Sequence, residues 1–205
     1  MFLRVTWFES SPDRLEDAIS TYKQLAAPAL SKMQGNVGVA LQVNRETGAG
    51  AAISYWDSMA SMQASEDAAV GLRSQAAADA RLTIGEIDRF ELIVLERAKP
   101  PAANTFVRVN DITASPDKIE AVASLVRDAQ AMLKAQKGFR AVLMGANRQT
   151  GRMFISSIWD TAADREASEA AVAGQRNKLR ELGAQNVKVS LTEAPFVEVK
   201  QAAPA

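Results

Sequence analysis

Apolar and polar residues along this chain alternate with two different periods, and the points where the period changes mark its elements. Residues 2–9 are rich in β-branched and aromatic side chains and read as a strand. Ser10-Ser11-Pro12-Asp13 stops it, with Ser11 placed to cap a helix whose first residue is Pro12. From Leu15 onward Ala18, Tyr22, Leu25, Ala29 and Met33 recur every three or four positions, which is one buried helical face. Pro28 should kink or break that helix, because it lacks a backbone donor and collides with the preceding turn. Strands near 37–43 and 50–56 flank a turn at 44–48, a helix follows from Asp57 or Ser58 to about 80, and a strand at 84–95 completes the set. The order is strand, helix, strand, strand, helix, strand.

The same order then returns. A strand at 105–112 leads through Ser115-Pro116-Asp117 into a helix to about 137, with Ile119, Val122, Val126, Ala129 and Leu133 facing inward. Strands at 139–145 and 153–159, a helix at 162–182 and a strand at 187–191 follow, with 196–199 continuing beyond a break at Pro195. The repetition extends to identities. Asn44-Arg45-Glu46-Thr47-Gly48 recurs as Asn147-Arg148-Gln149-Thr150-Gly151, 103 residues later, and Trp56-Asp57 recurs as Trp159-Asp160. Ser11-Pro12-Asp13 matches Ser115-Pro116-Asp117 at a spacing of 104, and Ala64-Ser65-Glu66 matches Ala167-Ser168-Glu169 at 103. Lys99-Pro100-Pro101-Ala102-Ala103-Asn104 is the seam, an extended spacer that no helix or central strand tolerates. The expected organisation is a first repeat at 1–98, a linker at 99–104 and a second repeat at 105–200.

Each repeat has the βαββαβ order of a ferredoxin-like unit, a four-stranded sheet with both helices on one face. The other face also needs cover, because the strands at 139–145 and 153–159 are apolar on both parities: Phe154 and Ile158 on one, Met153, Ile155 and Trp159 on the other. Leaving one such row in water costs several kcal/mol per strand at about 25 cal/mol per Å². The expected fold is therefore α+β, two ferredoxin-like repeats forming an intramolecular dimeric α/β-barrel.

Composition narrows the chemistry. The 205 residues carry 24 basic and 24 acidic side chains, so net charge gives no general attraction to nucleic acid or to an anionic membrane. No cysteine is present, which excludes disulfides, thiolate metal sites and thiol nucleophiles. No histidine is present either, which removes the commonest metal ligand, the usual general base and the usual axial haem ligand. The start reads as a strand and not as a signal peptide, and no apolar window reaches the ~20 residues of a membrane helix. A cytoplasmic protein is the expectation.

The repeated turn, together with Tyr55-Trp56-Asp57 and Ile158-Trp159-Asp160 at the ends of the third strands, carries a resemblance. The chain resembles a tandem fusion of antibiotic biosynthesis monooxygenase-like domains, within the dimeric α/β-barrel superfamily, over nearly its whole length. The resemblance implies a barrel cavity that holds an electron-rich aromatic or polyketide-like small molecule while oxygen reacts with its carbanion or phenolate form, without a cofactor. It implies Arg4, Trp7, Tyr55 and Trp56 in one half, and Arg108, Asn110 and Trp159 in the other, as residues around that cavity. It further implies a monomer with an internal pseudo-dimer, or a homodimer of such chains. Lack of histidine argues against the haem-degrading branch of the fold.

Each candidate also has a plainer reading. Trp56 and Trp159 occupy equivalent places, so they either plug the barrel end twice or form a stacking wall. Arg4 and Arg108 lie within first strands and must be paired, for example with Glu86 or Asp88, or clamp an anion inside the barrel. Trp7, Tyr22 and Tyr55 are replaced by Asp111, Val126 and Ile158 in the second copy, which marks either a retained pocket or drift. The Asn-Arg-x-Thr-Gly pentapeptide reads mainly as turn chemistry. Three functions stay open: a monooxygenase with no identifiable general base, a non-catalytic small-molecule binder or stress-associated protein, and a structural domain with a filled barrel. A packed interior without a pocket of roughly 300 Å³ would sink both ligand readings and leave the last.

Overall fold

A computed structural model describes residues 1–200. Its eight strands are β1 (Phe2–Glu9), β2 (Asn36–Val43), β3 (Ala49–Trp56), β4 (Thr83–Arg97), β5 (Thr105–Thr113), β6 (Phe139–Ala146), β7 (Arg152–Trp159) and β8 (Gln185–Val199). Each repeat lays down the ferredoxin-like order, β4-β1-β3-β2 in the first and β8-β5-β7-β6 in the second. The strand order closes on itself as an eight-stranded barrel. The α+β fold of two ferredoxin-like repeats is the one expected.

The chain forms two compact units that do not follow the repeats to the residue. One comprises Met1–Arg89, Pro101–Asn104 and the segment from Thr192, and the other Phe90–Pro100 and Thr105–Leu191. The long strands β4 and β8 therefore start in one unit and finish in the other. Within the first unit the end of β8 pairs with β2, Leu41 opposite Phe196 and Val43 opposite Glu193, with a bulge between the two pairs. That bulge spans Ala194 and Pro195, so the missing Pro195 donor falls where the ladder is already interrupted. Pro195 thus bends β8 and does not end it, contrary to the break expected there. Within the second unit β4 pairs with β6 with its own register shift between Leu92 and Val94.

In the first unit, helices α1 (Leu15–Thr21) and α2 (Ala27–Ser31) are joined by a single wide turn, Tyr22–Ala26, with i→i+5 geometry. The wide turn directly precedes Pro28 and absorbs the lost donor, so the helix bends and continues. Next come α3 (Met59–Ala64), capped by Ser58 Oγ accepting from Ser61 N, and α4 (Glu66–Ala80). The second unit repeats this with α5 (Ile119–Asp128), α6 (Gln130–Lys134), α7 (Ala162–Ala167) and α8 (Glu169–Glu181). Ser11 and Ser115 do not cap through their side chains. The Ser115 hydroxyl turns to the Asp117 carboxylate, and Ser11 likewise serves Asp13.

Both cores lie between helices and sheet of their own unit. Leu15, Ile19, Tyr22, Val39 and Leu41 form the first, and Ile119, Val122, Val126, Met144 and Trp159 belong to the second. The repeated pentapeptide is turn chemistry, as its composition predicts. Asn44 Oδ1 accepts from Glu46 N at 2.9 Å and Thr47 N at 3.0 Å, and Asn147 repeats this with Gln149 and Thr150. Gly48 and Gly151 follow at φ 77° and 70°, in the left-handed region where a side chain is strained. The motif's arginine has a further role. Arg45 pairs with Glu16 and Glu193, and Arg148 with Glu120 and Glu91.

Candidate functional site: two arginine-walled cavities

Strand alternation puts Arg4, Thr6 and Phe8 of β1 on the face toward the helices, where they line a cavity within the first unit. Arg4 is 2% exposed. Its Nη2 donates to the Met62 carbonyl and to Ser65 Oγ at 3.0 Å, and pairs with Glu66 at 2.9 Å. Ser65 sits at the joint between α3 and α4, its own hydroxyl donating to Met62 O at 2.7 Å. Glu66 also receives Arg73 at 2.5 Å and Arg89 at 3.0 Å. Burial lowers the Arg4 pKa, the Glu66 charge opposes this, and Arg73 and Arg89 add to the lowering. For Glu66, burial pushes the carboxyl up, but hydrogen bonds from Arg73 and Arg89 and the charge of Arg4 outweigh it, so it lies below the ordinary range.

The second unit builds the same device. Arg108, also 2% exposed, donates to Ser168 Oγ at 2.8 Å and to the Arg165 carbonyl, and pairs with Glu169 at 3.3 Å, which Arg176 holds in turn. The acids that neutralise these arginines are thus the first residues of α4 and α8, not Glu86 or Asp88 as expected. Glu66 and Glu169 stand in the aligned repeat beside Ser65 and Ser168, so the signal was present in the sequence, but nothing local ties them to an arginine 61 or 62 positions away.

What remains unpaired is informative. Nε and Nη1 of Arg4 are buried without a hydrogen-bond partner, as are Nε of Arg108, Oδ1 of Asn110 and Oε1 of Gln175. Such atoms are costly to leave so unless something meets them. All of these residues line cavities: Arg4 that of the first unit, and Arg108, Asn110 and Gln175 that of the second. Apart from Arg4, the first cavity is walled by Tyr22, Ile53, Leu72, Arg73 and several alanines. Tyr22 donates to the Ala40 carbonyl at 3.0 Å and to Ile53 O at 3.3 Å, and burial pushes its phenol far up, helped by Tyr55 and Glu198. Among the described residues no carboxylate lines either cavity. The volumes are about 70 and 60 Å³. Both are well below the ~300 Å³ of a site that encloses a whole small molecule, and each takes a polar head or a few waters.

Of the seven candidates read from the sequence, Arg4 lines the first cavity and Arg108 and Asn110 the second. Both arginines face the helices of their own unit. Trp56 and Trp159 are fully buried and line neither cavity; each indole donates to the serine two residues earlier, Ser54 at 2.9 Å and Ser157 at 3.0 Å. Trp56 backs Arg4, whose guanidinium carbon lies 5.5 Å from its ring centre. Trp7 donates to Asp88 at 2.7 Å, and neither it nor Tyr55 lines either of these two cavities. Sequence reasoning missed Gln175 and the alanines. Ala52, Ala69 and Ala76 of the first cavity correspond to Ile155, Val172 and Leu179 of the second, a difference readable from the aligned repeats.

Among the described residues no group of three histidine, cysteine, aspartate or glutamate side chains could hold a metal, and no helix is long and apolar enough to cross a membrane. The chain has neither histidine nor cysteine, the two ligands that hold haem iron in most such sites, and the Tyr22 hydroxyl is committed to two carbonyls.

Comparison with known proteins places this geometry. The family model for antibiotic biosynthesis monooxygenase matches residues 105–192. Two uncharacterised proteins of Mycobacterium tuberculosis strain H37Rv are similar along the chain: one is 26% identical over 98% of this chain and 86% of its own length, the other 23% over 91% and 84%. Among solved structures, an anthrone oxidase-like protein superposes with a TM-score of 0.75 at 12% identity, covering 98% of this chain and 94% of the other. A ferredoxin-fold protein related to antibiotic biosynthesis monooxygenases from Listeria monocytogenes gives 0.56 at 10% identity, with 95% of each chain covered. The match at residues 105–192 falls on the second repeat, which is thereby similar to the antibiotic biosynthesis monooxygenase family, and the whole chain has the fold of two ferredoxin-like repeats closed into a barrel.

Proposed function

We propose that the chain binds a small, largely apolar molecule bearing an oxyanion, and that it oxygenates this molecule without a cofactor. The observation that carries the reading is Arg4, 2% exposed in a mostly apolar wall, with Nε and Nη1 unpartnered. A guanidinium so placed stabilises a phenolate or enolate, the form of an aromatic substrate that gives electrons to oxygen. In the overall step a ring CH₂ and O₂ become C=O and water, so the substrate supplies all the electrons. No cavity residue is placed to take the first proton, because no carboxylate lines the wall and Tyr22 holds its own proton. The substrate therefore ionises by its own acidity. A 70 Å³ cavity seats only the oxyanion head, and the body enters as α4 moves outward. Short side chains favour that movement, since Ala69 and Ala80 are the buried residues of α4. In this reading one chain suffices, with the second copy in cis.

The test is oxygen consumption with anthrone and quinol-type phenols of graded acidity. The expected rate follows the ionised fraction of each substrate and falls at least tenfold in Arg4→Gln at unchanged fold. Turnover unaffected by that variant would remove Arg4 from the chemistry. The small cavity volumes favour a second reading, a filled structural scaffold. Absence of saturable change in tryptophan fluorescence with any of these compounds, together with absence of turnover, would select it.

A further inference from the structure

We infer that the two cavities take ligands of different chemistry: an anion in the first, and in the second a neutral polar group that both donates and accepts hydrogen bonds, such as an amide. The inference deepens the ligand-binding reading above and rests on it. The unpartnered buried polar atoms of the first cavity are two donors on one cation, Nε and Nη1 of Arg4. The two lie on either side of Nη2, which Met62, Ser65 and Glu66 already occupy, so each offers a single N–H of a cation and an anion's oxygen meets either one with the right polarity.

The second cavity presents a different set. Nε of Arg108 is its unpartnered donor, beside two unpartnered acceptors, Asn110 Oδ1 and Gln175 Oε1. Asn110 Nδ2 faces the Ile155 carbonyl at 3.4 Å, which turns Oδ1 away from that carbonyl. Both acceptors are absent from the first cavity, where Thr6 stands at the place of Asn110 and Leu72 at the place of Gln175. An anion entering the second cavity brings lone pairs against these carbonyl oxygens. A group with both N–H and C=O meets all three orphaned atoms with the right polarity. Conversely, an amide in the first cavity satisfies an Arg4 donor but leaves its own N–H groups without those acceptors. Leaving one such group unpaired is worth about tenfold in affinity or more.

The experiment uses benzoate and benzamide, which share a shape and differ in charge and donors. Each is titrated into the full chain while methyl NMR signals are followed, Ile53 and Leu72 reporting the first cavity, Ile155 and Val172 the second. Benzoate is expected to shift the first pair and benzamide the second, each with about tenfold preference. The double variant Asn110→Thr with Gln175→Leu, which installs the residues of the first cavity, is expected to lose benzamide binding at the second cavity while benzoate still shifts Ile53 and Leu72. Equal binding of both probes at both cavities, or benzamide binding that survives the double variant, overturns the inference and leaves the ligand-site reading standing. No shift at any of the four methyls with either probe overturns both.

Discussion

Arg148 holds the carboxylate of Glu91 at 2.5 Å through its Nε, and so ties the tip of the β6–β7 hairpin to the strand β4 that arrives from the first repeat. Arg45 does the same for Glu193 of β8 at 2.6 Å. The two pairs are half-exposed, so each is worth about 0–1 kcal/mol and is screened by salt. The double variant Glu91→Gln with Glu193→Gln is expected to lose about 1 kcal/mol in urea unfolding at low salt, and to match the parent near 1 M salt. A loss that persists at high salt would show that these contacts act by shape and not by charge.

Glu66→Gln should be more damaging, because it leaves the buried Arg4 without its counter-ion. Removing one partner of a fully buried pair costs about 3–5 kcal/mol. Glu66 is 28% exposed, so solvent screening reduces the expected loss to about 2 kcal/mol. The pH dependence follows from the lowered carboxyl. Glu66 binds its proton less readily in the folded chain than in the unfolded one, so its contribution is present above its ordinary value of 4.5 and is lost as the pH falls through the lower folded value. Urea unfolding between pH 6 and 3 should show the parent losing stability that the glutamine variant never had.

Tyr22 behaves in the opposite sense. Its proton is held in the folded chain far above the ordinary value of 10.0 by burial first, and the unfolded chain releases it sooner. Stability attributable to Tyr22 is therefore intact below pH 10 and declines as the pH rises beyond it. In alkaline titration the absorbance difference between the parent and Tyr22→Phe should show no Tyr22 phenolate until the chain unfolds. Phenolate from Tyr22 in a still-folded chain near pH 10 would mean that water reaches the cavity freely.

The helices over the sheets should not be equally secure. Helix α5 buries Ile119, Val122, Ala123 and Val126, whereas Leu179 is the buried residue of α8. Amide exchange is expected to be slowest in α5 and distinctly faster in α8 and α4, by local opening at a fraction of the global free energy. Uniform protection across the three helices would remove the basis for a ligand entering by displacement of α4.

Much of this was legible in the sequence where the controlling physics is local. Asn44 and Gly48 announce their turn because one accepts from the next residues' N–H groups and the other needs no Cβ, and the second copy repeats both. Proline was harder to read, since its cost depends on what the backbone does elsewhere. At Pro28 a wide turn, and at Pro195 a bulge, removes the bond that would have been broken. Parity gave the residues that share a face with Arg4 but not which face that is: it turns to the helices and not into the barrel, because its partners at Met62, Ser65 and Glu66 belong to a helix joint distant in sequence. Trp56 was open to two readings from sequence, a plug or a stacking wall, and packing shows it fully buried behind Arg4.

The division of β4 and β8 between units has a consequence for synthesis on the ribosome. The first unit needs the segment from Thr192 beside β2, so when Arg89 leaves the exit tunnel its sheet still lacks an edge that will be made about a hundred residues later. The nascent chain must carry β2 with unanswered backbone donors and acceptors through most of translation. A chaperone that shields such an edge, or slow translation that prolongs its exposure, should change the yield of native protein far more than either would for two modules that close independently.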